Sequence, residues 1–167
     1  MQLANYSGAE ALPQAVKVWQ CYDAVFGDFD SEEEWTRDLF VRHASRGGYR
    51  LACAFADDQV VGFAWGYTGQ RGQYWSDLVA DSLGPELAER WVGGHFEFVE
   101  LGVHPDFRRQ GVGRQLHDRL LEGINGRALL ASSSDGADAA VRLYEQSGWR
   151  TLGALSAEKR IMGRDSV

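Results

Sequence analysis

Glycines at alternate positions in Gln110-Gly111-Val112-Gly113, with Arg108, Arg109 and Arg114 around them, make the stretch of this chain best suited to hold an anion. With no Cβ at two places, backbone N–H groups can crowd round a ligand. A helix starting there adds the unpaired N–H groups and partial positive charge of its first turn. Guanidinium groups complete a site for phosphate oxygens. A bare Gly-x-Gly fits an ordinary strand-to-helix turn equally well. The chain as a whole is acidic, with a formal net charge of −7, so the concentration of arginines beside the glycines tilts the reading toward anion binding.

Carboxylates lie just upstream. Glu97 and Glu100 interrupt the apolar run Phe96-Glu97-Phe98-Val99-Glu100-Leu101-Gly102-Val103. A carboxylate in an apolar strand is costly unless paired or working, so the buried one acts as a general base or is paired with an arginine. Their odd separation sends them to opposite faces, and both cannot look at one substrate. Tyr144, on an amphipathic helix, reads by itself as core packing with its hydroxyl at the edge. His104, beside Pro105, reads as a turn residue. His95 and His117 read as surface residues, His117 on the polar side of its helix. Cys21 and Cys53 have neither CxxC nor zinc-site spacing, so buried free thiols are expected, and no metal.

The elements that position these groups follow from pattern. Residues 2–7 suit a short strand. Leu12, Ala15, Val16, Val18, Trp19, Tyr22 and Val25 form one helical stripe over 9–26. Ser31 with Glu34 reads as a capping box opening a second helix, with Trp35, Leu39 and Phe40 inward, that ends by Gly47-Gly48. Residues 49–56 and 60–67 make a hairpin about Asp57-Asp58-Gln59. Residues 68–94 are glycine-rich, carry Tyr74, Trp75 and Trp91, and show a short helical pattern only at 85–90. A connection of this length reads as a functional insertion, or as a packed surface loop anchored by its tryptophans. Phe96 to Val103 is a strand that Pro105 stops. Leu116, Leu120 and Leu121 give the next helix, ending near Gly123. A strand at 127–133, a helix carrying Tyr144, and strands beginning at 148 and 159 complete a mixed, partly parallel sheet with helices on both faces.

With 167 residues, 44% hydrophobic and 25% charged, and no linker or repeat, one domain over 1–167 is expected. The acidity argues against nucleic acid or an anionic membrane as partner and suits a cationic amine. No leader and no apolar run of about 20 residues is evident, which makes a cytoplasmic location the expectation.

Two segments carry a family resemblance. Val103-His104-Pro105-Asp106-Phe107-Arg108-Arg109-Gln110-Gly111-Val112-Gly113 resembles the acyl-CoA-binding motif of the GNAT acetyltransferase superfamily, Arg/Gln-x-x-Gly-x-Gly/Ala. Ala140-Val141-Arg142-Leu143-Tyr144-Glu145-Gln146-Ser147-Gly148-Trp149 is similar to its Ala-x-x-x-Tyr-x-x-x-Gly-Phe signature. The resemblance covers 96–150 and implies a mostly antiparallel sheet of about six or seven strands with a splayed parallel β4/β5 pair. It implies acetyl-CoA as cosubstrate and transfer of its acetyl group to an amine. The backbone of Leu101, Gly102 and Val103 would hold the pantetheine arm, and Arg108, Arg109, Gln110, Gly111, Val112, Gly113 and Arg114 the pyrophosphate. Tyr144 would protonate the leaving thiolate. Glu100 is favoured over Glu97 as base, lying nearer the splay point, while some relatives use only water chains. Where the family often has an asparagine, this chain has Ala137, so a pantetheine hydrogen bond is lost or passes to Ser134 or Asp135. The expected acceptor is a small-molecule amine. Alternatives are a protein N-terminus or lysine, or a non-catalytic acyl-CoA sensor. The resemblance also allows a homodimer.

Overall fold

In the computed structural model, which describes residues 1–166, the chain runs β1 (Gln2–Ser7), α1 (Gly8–Ala11), α2 (Ala15–Val25), α3 (Glu32–Trp35), α4 (Val41–Ala44), β2 (Arg50–Ala56), β3 (Gln59–Thr68), α5 (Tyr74–Leu83), α6 (Pro85–Trp91), β4 (Phe96–Val103), α7 (Val112–Leu121), β5 (Gly126–Ser133), α8 (Ala139–Gln146), β6 (Arg150–Ala154) and β7 (Lys159–Ser166). Seven strands form one mixed sheet in the order β1-β2-β3-β4-β5-β7-β6. The β1–β2, β2–β3, β5–β7 and β6–β7 ladders are antiparallel. The β4–β5 ladder is parallel, Phe96 opposite Ala128 and Glu97 opposite Leu129, because a helix, α7, makes the crossover. The expected mixed sheet with flanking helices is therefore present. Among the described residues no helix is long and apolar enough to cross a membrane.

Two compact units are distinguishable. The first comprises Met1–Tyr67 and Val99–Glu122, the second Thr68–Phe98 and the chain from Gly123 onward.

The first unit is built on aromatic rings. Tyr22, Trp35, Phe40, Phe63 and Trp65 are all buried. Trp35 and Phe40 stack at 4.8 Å although five residues apart, because Thr36–Phe40 forms a π turn that widens the helix enough to bring i and i+5 to one side. Ser31 caps this helix, its Oγ accepting from the Glu34 N–H at 3.1 Å. At the first helix the Glu10 carboxylate accepts from both the N–H and the hydroxyl of Ser7, a cap the sequence reading passed over. The single stripe expected over 9–26 is corrected. Pro13 lies in a 3-10 turn, Leu12–Gln14, which shifts the helical phase. Leu12 and Val16 are left outside at 44% and 54% exposure, and Ala11, Val18, Cys21 and Tyr22 face the core.

Adjacent residues of β3 receive helices on opposite faces. A Cβ at Gly62 would lie 2.8 Å from Leu116 Cδ1 and 3.1 Å from Val112 Cγ1, so the missing side chain is what lets α7 dock. Phe63 faces the other way and stacks on Tyr22 of α2 at 5.8 Å.

In the second unit, residues 68–94 form two helices where only one was expected. Trp91 is buried, and Trp75 packs beside it with Val79, Ala80, Leu129 and Ile161. Gly163 on β7 makes room, since a Cβ there would lie 2.9 Å from Trp91 Cζ3. The tryptophans thus anchor the insertion to its own core, and Tyr74 is exposed at 81%. On the other face Phe98 receives α8, with Tyr144 and Trp149 edge-on to its ring at 5.8 and 5.9 Å.

Candidate active site

The arginine–glycine segment is reached from β4 through a tight turn. The His104 N–H donates to Val61 O at 2.8 Å, and His104 Nδ1 accepts from the Asp106 N–H at 3.2 Å. This caps the turn Pro105–Phe107, as expected of a turn residue. Arg108 then folds back, its Nε donating to Val103 O at 3.2 Å. It braces the loop on the strand end. Arg109 (φ +62°) and Gly111 (φ +79°) are both left-handed, a curl that turns successive N–H groups toward one concavity. For Arg109 this conformation costs roughly 1 kcal/mol. Gly111 is the N-cap of α7 and no side chain caps that helix start among the described residues. Arg108, Arg109, Gln110, Gly111 and Arg114 are exposed. α7 buries Val112, Leu116, His117, Leu120 and Leu121 and leaves the loop before it exposed. That geometry suits a pyrophosphate.

His117 corrects the expectation of a polar-side residue. It is 1% exposed, with Nδ1 2.8 Å from Asp118 Oδ1. Cys21 and Cys53 are free and buried, and burial pushes each thiol up to about 12. Neither is a nucleophile near neutral pH. Among the described residues no cluster of His, Cys, Asp and Glu could hold a metal ion.

The two strand carboxylates have different surroundings. Glu100 is half-buried and close enough to Tyr22 for its charge to act on the phenol. Burial first, then Glu100 and Asp28, hold the Tyr22 pKa well above the usual tyrosine range. Glu97 is buried at 3% exposure, 2.9 Å from His95 Nε2. His95, read from sequence as a surface residue, is itself 1% exposed. Its Nδ1 accepts from the Gly93 N–H at 2.9 Å, so Nε2 carries the hydrogen and donates to Glu97. Burial, helped by the charge of Arg127, lowers the His95 pKa to about 4, and the ring is neutral. Arg127 is held by the carbonyls of Arg90 and Gly93. The only hint in the sequence was the i, i+2 spacing of His95 and Glu97, which shares a strand face. Gly69 completes this packing, because a Cβ there would lie 2.2 Å from His95 Nε2. Gly69→Ala is expected to destabilise the fold by about 1–3 kcal/mol, measured as a lower urea midpoint. An unchanged midpoint would show that the ring moves aside freely.

Tyr144 is 6% exposed. The turn after α8 is closed on its carbonyl, which accepts from the Ser147 and Trp149 N–H groups. Asp138 is the N-cap of α8 and accepts from the Ala140 N–H at 2.8 Å. Ahead of it, Ser134 Oγ donates to Ala157 O and Asp135 Oδ1 accepts from the Ala137 N–H. Ser134 thus ties to the loop at Ala157, and Asp135 holds its own turn.

Comparison with known proteins agrees with this picture. The model of the Acetyltransferase (GNAT) family matches residues 15–149. A GCN5-like protein acetyltransferase of Mycobacterium tuberculosis is 34% identical over 109 residues, 60% of this chain and 53% of that protein. The chain thus spans about half the length of that curated relative. Among solved structures, the PaiA N-acetyltransferase of Thermoplasma acidophilum, in complex with coenzyme A, superposes with a TM-score of 0.60 at 12% identity, over 99% of both chains. An aminoglycoside 6'-acetyltransferase type Ii superposes at 0.68 and 12% identity over 100% of this chain and 98% of that one. The ribosomal-protein-S18-alanine N-acetyltransferase of Escherichia coli does so at 0.61 and 16% over 99% and 94%. At these identities the likeness is one of fold. With the family model matching well over half of the chain, the protein belongs to the acetyltransferase (GNAT) family.

Proposed function

We propose that this chain is a single acetyl-CoA-dependent N-acetyltransferase domain that passes the acetyl group directly to a primary amine of a small molecule. The observation that carries this reading is the curled, arginine-flanked loop feeding the uncapped N-terminus of α7. Its exposed backbone donors, with Arg109 and Arg114, would hold the pyrophosphate. The main chain of Leu101, Gly102 and Val103 would hold the pantetheine arm and offer an N–H to the thioester oxygen.

In the reaction the amine nitrogen attacks the thioester carbonyl. A C–N bond forms, the C–S bond breaks, and the nitrogen loses a proton. Glu100, half-buried and unlike Glu97 not committed to His95, is the base we favour for that proton. Tyr144 supplies one to the departing thiolate. No step requires a metal or a cysteine nucleophile. The cytoplasm, where acetyl-CoA is available, is the expected setting, and exposed Tyr74 and Leu78 on α5 offer apolar surface for a homodimer.

The test is free-thiol release from acetyl-CoA over a panel of amines, aminoglycosides and short peptides. Saturable release with one amine class supports the reading. Acetyl-CoA binding without release on any acceptor would turn it into a sensor. Glu100→Gln is expected to lower kcat/KM by about 10²-fold and to flatten the acidic limb of its pH profile. A variant that keeps that limb at full amplitude removes Glu100 from the mechanism. A protein N-terminus or lysine as acceptor is the second reading, favoured by the name of the mycobacterial relative. Turnover confined to the peptides of the panel would select it.

A further inference from the structure

One surface of the first unit combines exposed aromatic area with carboxylates in a way the core does not require. Tyr22 lies on α2, its body 2% exposed, with Phe63 beneath it at 5.8 Å. Phe26 packs against the same ring at 4.9 Å and touches Phe63 at 6.3 Å, yet stays 42% exposed. Phe29 meets Tyr22 edge-on at 6.1 Å. Gly27, at φ +59°, reverses the chain after α2 and returns Asp28 to the phenol, whose hydroxyl donates to Asp28 Oδ2 at 3.3 Å. Glu100 acts on the same phenol from β4. The exposed Asp28 carboxylate therefore meets a neutral hydroxyl at the edge of a floor of rings, and the charge of Glu100 acts on the same phenol.

The patch is also anchored to the strand that would hold the cosubstrate. A Cβ at Gly102 would lie 2.6 Å from Phe63 Cζ. Only a glycine lets the tip of the Phe63 ring reach β4 there, two residues from Glu100. The same cluster holds fully buried Trp35, its ring 5.4 Å from that of Tyr22.

We propose that the acceptor is a primary amine carrying one protonated nitrogen on a flat apolar body, of arylalkylamine type. Its ammonium would lie between Asp28 and Glu100 and its ring against Phe26 and Phe29. This rests on the N-acetyltransferase reading and narrows it. An ammonium gains from the carboxylates and from the ring faces together. An apolar body covers Phe26, which is the part of the patch that water meets now. A polyamine or an aminoglycoside has no flat apolar body to cover Phe26.

The experiment is steady-state thiol release by the full chain at saturating acetyl-CoA, with 2-phenylethylamine, spermidine and a lysine-bearing peptide. Phenylethylamine is expected to have a kcat/KM at least about tenfold above the other two, because it alone carries a ring to cover Phe26. Asp28→Asn and Phe26→Ala are each expected to raise its KM about tenfold. The Kd for acetyl-CoA, measured by calorimetry, should stay as it was, and Asp28→Glu should restore the KM. Asp28 is exposed, so these effects do not pass through folding. Preference for spermidine or the peptide overturns the inference and leaves the N-acetyltransferase reading standing, as does an unchanged KM in both variants. Acetyl-CoA binding with no turnover of any amine overturns both, as does failure to bind acetyl-CoA.

Discussion

Tyr144→Phe is expected to lower kcat by about two orders of magnitude while the Kd for acetyl-CoA changes less than about twofold. The substitution removes one oxygen and leaves the ring. That ring stays packed on Phe98 at 5.8 Å and beside Trp149 at 6.0 Å. The backbone carbonyl that closes the turn after α8 is unaffected. Stability should therefore hold to within about 1 kcal/mol. The loss would fall on the step where sulfur leaves, because a thiolate departing without a proton must carry its full charge into the site. Pre-steady-state acetyl transfer and thiol release, read together, locate the defect. A kcat equal to that of the parent protein would leave Tyr144 as a core residue and nothing more.

The second large effect is on stability as pH falls. His95 has a pKa of about 4 in the folded chain against an ordinary 6.5. Below pH 6.5 the unfolded chain takes up a proton at this site, and the native chain does not until about pH 4. The folded state is thus fully favoured above 6.5 and loses about 3 kcal/mol as pH drops through that window. An anionic Glu97 works in the opposite direction. Burial, Arg127 and the commitment of Nδ1 to the Gly93 N–H outweigh it, since a second ring proton would face that donor. His43 contributes in the same direction, its pKa lowered to about 4 by burial and by Arg46 and Arg42. Its Nδ1 accepts from Trp65 Nε1–H at 3.1 Å, a bond that protonation there would also break. Urea unfolding between pH 4 and 8 should show this slope, and His95→Gln should remove much of it. Equal slopes in the two proteins would mean that the buried ring is protonated at no cost.

Much of the architecture was legible because it is written locally. Ser31 and Glu34 mark a helix start within a span of four residues, and the Ser31–Glu34 bond is there. Asp57 and Asp58 turn a hairpin whose register pairs Ala56 with Gln59. The loop at 108–113 announces its curl through its glycines, and α7 does begin on Gly111. Even where local rules were misapplied the cause is local. The phase shift that exposes Leu12 and Val16 comes from Pro13, one residue along the chain. The Ser7–Glu10 cap was likewise in plain view.

What distance in the chain decides could not be read this way. The helix Tyr74–Leu83 escaped notice because its apolar residues divide between the Trp91 core and solvent, where Tyr74 and Leu78 stand. Trp35 and Phe40 looked out of phase until the π turn aligned them. His117 could be called polar from its neighbours, but α7 buries it together with Val112, Leu116, Leu120 and Leu121.

The candidate site divides along the same line. Sequence alone determined the arginine–glycine loop, the tyrosine helix and the odd spacing that parts Glu97 from Glu100, since each depends on covalent order and on the periodicity of one element. Only the tertiary structure decided what surrounds each carboxylate. Glu97 acquires a buried histidine that Arg127, from another strand, helps keep neutral. Glu100 acquires the phenol of Tyr22, brought from a helix far back in the chain. Burial and charge act through space, and a strand carries no local record of what will pack against it.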